Sequence, residues 1–161
     1  MPSRHDQVAT LKTLGHAGDR ANIAQRLALL SPEDTARWGY MSVHQMVCHM
    51  NDSYQYALGK KVASPATGFV QRTVLKWCAL HVPTRWPHGV PTRPEIEQGK
   101  GGSRPIDFAQ DVASLLATFR TFCDDLPSPC LEHPIFGKMT TADWMRWGYL
   151  HADHHLRQFG R

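Results

Sequence analysis

The sequence predicts an all-α fold, a four-helix bundle carrying a long proline-rich loop between its second and third bundle helices. Three observations lead there. The segment "DFAQDVASLLATFRTFCDDL" repeats Phe108, Val112, Leu115, Phe119, Phe122 and Leu126 at steps of four and three, one apolar stripe along about five helical turns. Two other segments start on capping signals and run on at the same period. No stretch alternates convincingly at the two-residue period of a strand.

The elements follow in order. "DRANIAQRLALLS" places Ile23, Leu27 and Leu30 on one face before Ser31-Pro32 breaks it. "MSVHQMVCHMNDSYQYALG" reads as a second helix, from Ser42 to about Leu58, closed by Gly59. "FVQRTVLKWCAL" is a possible short extra helix. From there "HVPTRWPHGVPTRPEIEQGKGGSRP" carries five prolines, too many for regular structure. The loop over 82–105 is thus expected to be a lid, a binding loop or a disordered segment. The long stripe follows, with Asp107 and Gln110 as a capping box and Pro127 and Pro129 as its stop. The last helix starts at Thr140, with Asp143 completing a second box.

A chain of 161 residues fits one domain, and no run of about 18 apolar residues suggests a membrane span. The first residues lack the apolar stretch of a signal peptide, so the expected location is cytoplasmic. Cys48, Cys78, Cys123 and Cys130 show no paired spacing and read as free thiols. A net charge of +4, spread along the chain, suits small anionic ligands better than nucleic acid. "GKGG" at Gly99–Gly102 lacks the spacing of a phosphate loop.

The chemistry gathers in "WGYLHADHHLRQ", with three histidines in five residues. At about 100° per residue, Trp144, Trp147, Gly148, His151, His155 and Gln158 share one face, and two tryptophans turn that face inward. His151 and His155 are one turn apart, close enough for both rings to grip one ion. His154 lies on the shoulder of the stripe, and Asp153 and Arg157 point away. On the second helix His49 sits at the edge of the apolar arc, whereas His44 faces the opposite side and reads as solvated. Burying neutral imidazoles without partners costs roughly 1–3 kcal/mol each, and a divalent cation reverses that balance. Spacing alone is not diagnostic, since ten histidines in 161 positions give roughly 0.6 such pairs by chance.

Around the three rings, Gln158 reads as a partner for a ligand or substrate, or as an interior amide on the backbone. Asp52, one turn from His49, reads as a fourth ligand or general base, or as a solvated carboxylate. Ser53 and Tyr56 are candidates for orienting water, and Arg85, Arg93, Lys100 and Arg104 for an anionic substrate group. His16, His81, His88 and His133 read as surface or cap residues, and His5 lies in the terminal tail.

"RWGYMSVHQMVCHM" with "HPIFGKMTTADWMRWGYLHADHHLRQ" resembles the DinB-like superfamily, which includes YfiT-like proteins. "HPIFG" and the proline-rich middle resemble a subgroup with no assigned function. The resemblance spans most of residues 11 to 158 and rests on motifs of about 40 residues. It implies an up-down-down-up four-helix bundle, often a homodimer, with a divalent metal on one histidine of the second helix and two of the fourth. These are His49, His151 and His155. It also implies metal-dependent chemistry, in some members the transfer of small thiols. Many members read His-His-Arg-Gly-Gln where this chain has His154-His155-Leu156-Arg157-Gln158, so no role carries over to Arg157.

Two functions follow as expectations. One is a metal-dependent hydrolase or small-thiol transferase, with three histidine ligands, an open position for water or thiol, and the 82–105 loop over its mouth. The ion would be zinc or nickel, with iron or manganese as alternatives. The other is a non-enzymatic dimeric scaffold whose metal is structural or vestigial, for which access to the site is the discriminator.

Overall fold

The protein is described by a computed structural model covering residues 11–66, 68–90 and 92–161. The described residues are all-helical, with five α-helices, α1 (Ala17–Ala28), α2 (Val43–Ala57), α3 (Lys76–His81), α4 (Phe108–Asp124) and α5 (Thr141–Gln158). There is no strand among the described residues, only an isolated bridge between His133 and Gly137. No helix there is long and apolar enough to cross a membrane. His5 lies outside the described residues.

The start signals act largely as the sequence implies. Ser42 caps α2 through a reciprocal box with Gln45, and Thr140 does the same for α5 with Asp143. Asp107 caps α4 by accepting the Gln110 N–H alone, without the return bond of a full box. The possible extra helix is real. It runs into α3 through a wider π-helical turn, Gln71–Leu75.

The four longer helices share one core. α2 packs chiefly on α4, α1 lies against α4 and α5, and α5 also touches α2 and α3. Ile23, Leu27, Met46, Met50, Tyr54, Leu115, Phe119, Phe122, Trp144 and Leu156 are all buried in it. Full burial of such side chains contributes about 1.5–3 kcal/mol apiece before entropy is counted. Of the predicted α4 stripe, Leu115, Phe119 and Phe122 are fully buried, while Phe108, Val112 and Leu126 pack at its margin.

"HPIFG" has a local physical reason. His133 and Gly137 exchange backbone hydrogen bonds of 2.7 and 2.9 Å. The His133 Nδ1 accepts the N–H groups of Ile135 and Phe136 at 3.1 and 3.2 Å. Its ring lies against Phe136, Trp144 and Trp147. His133 is therefore buried rather than on the surface, and of its surface and cap readings the second holds, because its acceptor nitrogen takes two amides of its own loop.

Gly148 lets α5 settle into the core. A methyl group there would meet the Phe122 ring at 2.7 Å and Leu14 at 2.9 Å. Its carbonyl also accepts the buried Tyr54 hydroxyl at 3.1 Å. In an open helix, Gly→Ala gains about 1 kcal/mol. Overpacking here costs about 1–3 kcal/mol. Gly148→Ala is therefore expected to lower stability by about 1 kcal/mol, read as a fall in urea midpoint at unchanged slope; a rise would show that the contact relaxes freely.

Candidate metal centre

Two capped helices aim the three rings. α2 carries His49 toward α5, whose inner face carries His151 and His155 one turn apart. The His49 and His151 Nε2 atoms lie 3.2 Å apart. Ring centroids are separated by 5.2 Å for His49–His151, 4.9 Å for His49–His155 and 4.8 Å for His151–His155. The three residues are only 5, 8 and 8 % exposed. One nitrogen from each lies within 4.8 Å of the others, so the cluster could hold a metal ion.

The partners of the outer nitrogens decide what the inner ones offer. The His49 Nδ1 lies 3.2 Å from the Ile96 carbonyl. A carbonyl only accepts, so Nδ1 carries the proton and Nε2 keeps a lone pair. The Gln158 Nε2 donates to the Trp38 carbonyl at 2.8 Å, which leaves its Oε1 to accept from the His155 Nδ1 at 3.0 Å. His155 thus also presents a bare Nε2. Gly39 makes this reach possible, since a side-chain carbon there would come within 2.9 Å of the Gln158 amide nitrogen. The same residue has φ +80°, which favours glycine. His151 stacks on Trp147 at 4.8 Å, and its Nδ1 is buried without a hydrogen-bond partner.

This arrangement fits a cation. The bare His49 Nε2 stands 3.2 Å from the His151 Nε2, a gap that a proton on His151 or a metal ion between the rings would bridge. Nitrogens bound tetrahedrally at 2.0–2.1 Å stand about 3.3 Å apart. Burial pushes the His49 imidazole below its ordinary pKa. Burial and the neighbouring rings push His151 and His155 well below theirs. All three rings are therefore neutral near pH 7, the form in which imidazole could ligate a metal.

One turn of the 82–105 loop lies against this cluster. That turn, Pro94–Ile96, supplies the buried Ile96 whose carbonyl meets His49. Asp52 is fully buried rather than solvated. Its carboxylate accepts the Ser103 backbone N–H and hydroxyl, both at 2.7 Å, and pairs with the Lys61 Nζ at 2.6 Å. It clasps the end of the loop. Farther along, His88 stacks on Trp38 at 4.1 Å, and His154 lies edge-on to both. Burial and then Arg157 lower the His154 imidazole to about 4.

Of the remaining candidates, Arg85 and Arg104 are exposed, and the others take structural partners. The Ser53 hydroxyl donates to the His49 carbonyl at 2.8 Å, and the Tyr56 hydroxyl to the Glu132 carbonyl at 2.6 Å. Arg93 donates to Ser64 and Lys100 pairs with Glu97. Asp153, far from isolated, pairs with Arg26 of α1 and with Arg157. His44 is half-buried and bonds Asp111 at 2.7 Å rather than facing water. Ile96 was missed because a backbone carbonyl leaves no mark on side-chain pattern. The four cysteines are free thiols.

Two outcomes follow. Asp52→Ala leaves Lys61 and Ser103 without their shared acceptor and should cost about 3 kcal/mol, with amide exchange rising first across residues 93–105; uniform exchange would refute the clasp. The second concerns pH. Burial lowers His133 from 6.5 to about 3. The unfolded chain then binds a proton that the folded chain refuses, so this stability is complete above about pH 6.5 and drains away as pH falls toward 3, by about 1.4 kcal/mol per unit. In chelator-treated protein, His133→Asn should reduce the proton uptake linked to urea unfolding at pH 5 by about one; an unchanged slope would contradict it.

No curated protein and no solved structure matches the chain. The family described as "Protein of unknown function (DUF1569)" matches residues 11–161. With that match covering nearly its whole length, the chain belongs to the DUF1569 family.

Proposed function

We propose that this protein is a metal-dependent enzyme built as a DinB-like four-helix bundle, with one divalent cation held by His49, His151 and His155. Zinc or nickel suits three neutral imidazoles best, with iron or manganese also compatible. The carrying observation is the convergence of three neutral, nine-tenths-buried rings, two with their outer nitrogens tied to acceptors. Three protein ligands leave a position for water or a small thiol. A cation there would supply Lewis acidity, the property that lets water or a thiol lose its proton near neutral pH. The reaction class is hydrolysis or thiol transfer on a small molecule.

The chain's own residues do the rest. Gln158 and Ile96 hold His155 and His49 in the ligating tautomer. Trp147 fixes the plane of His151. The clasped loop excludes water and must lift for a substrate to enter. A homodimer accords with the DinB-like reading.

A second reading draws on that same cover. With each ring no more than 8 % exposed, the ion would be structural and the protein a binding scaffold. Water-proton relaxation of manganese-loaded protein separates the two. An exchanging water supports the enzyme, and its absence supports the scaffold.

Protein purified without an affinity tag should retain metal, and His151→Ala should retain one equivalent less. Equal metal content in the two would sink the site. Gln158→Leu, which removes only the partner of His155, should weaken binding by about 10–100-fold, as measured by competition with a chromophoric chelator.

A further inference from the structure

The outer flank of α2 carries another donor group. His44 and Cys48 stand one turn apart on α2, and Asp111 reaches them from the first turn of α4. The His44 Nε2 lies 2.7 Å from the Asp111 Oδ2, and the Cys48 Sγ lies 3.9 Å from the same oxygen. The three ligand atoms fall within 4.8 Å of one another. We propose that His44, Cys48 and Asp111 form a second divalent-cation site, with one nitrogen, one sulfur and one oxygen ligand, suited to a borderline-soft ion of the zinc class.

The geometry favours a cation over a plain hydrogen-bonded triad. At 3.9 Å the thiol is a poor donor to the carboxylate. Sulfur and oxygen ligands of a tetrahedral zinc stand about 3.6 Å apart, given bonds of about 2.3 and 2.1 Å. The His44–Asp111 pair must open from 2.7 Å to about 3.3 Å to admit the ion. Both side chains can move that far, being 23 and 27 % exposed. The same exposure lets the ion exchange with solvent and leaves a water position open. On binding, the thiol proton leaves to solvent as the sulfur–metal bond forms. The ion would pin α2 to α4 on the flank next to His49, and the site stands independently of the three-histidine centre.

Sulfur makes the two sites separable. Chelator-treated, untagged full-length protein would be titrated with cobalt(II). The expected result is a near-ultraviolet sulfur-to-cobalt charge-transfer band, saturating at one thiolate-bound equivalent. It should be kept in His151→Ala, lost in Cys48→Ser and weakened in His44→Gln. His44→Gln, at a partly exposed position, guards against a folding defect in Cys48→Ser. No band in the native protein, or a band surviving Cys48→Ser, would overturn the proposal.

Discussion

An imidazole buried without a charge partner is held as the neutral ring, and a neutral ring has one donor and one acceptor that must be told apart. Everything around the candidate centre answers that constraint. At His49 the donor is sent to the Ile96 carbonyl, and at His155 to an amide that Trp38 has already oriented. Both bare nitrogens then face inward. Only His151 lacks such a partner, and there a stacked tryptophan fixes the plane of the ring.

The supports reach outward through packing. The His133 loop closes beneath Trp144 and Trp147, and Trp147 carries His151. Gly39 leaves room for the Gln158 amide, and Gly148 lets α5 lie close to Phe122. The motifs that surround the histidines in sequence are thus small spatial permissions. Each removes bulk or supplies an acceptor where a ring must be held. Interiors are packed densely enough that such permissions are felt at the scale of one methyl group.

Much of this was legible beforehand. Ser42, Thr140 and the α4 stripe announce their helices because capping and amphipathic burial are local in sequence. The inward face of α5 was readable because two tryptophans share it with His151 and His155. What was not legible depends on contacts distant in the chain. Nothing in the local sequence of Asp52 announces that it is buried against Ser103 and Lys61 rather than solvated. His44 looked solvated until α4 brought Asp111 against it. His133 reads as a surface or cap residue, and its burial escapes notice because no periodic pattern marks a side chain that caps its own loop.

The hydrogen bond from His49 to Ile96 makes one ring a member of two structures at once, the histidine cluster and the covering segment. A ring that gives electron density to an inner ligand becomes more acidic at its outer N–H, and its grip on the Ile96 carbonyl tightens. Reciprocity then requires that whatever loosens the segment also weakens what the ring holds, by the same free energy. With a cation in the cluster, its occupancy and the docking of the Pro94–Ile96 turn would be two coupled equilibria, joined through one imidazole.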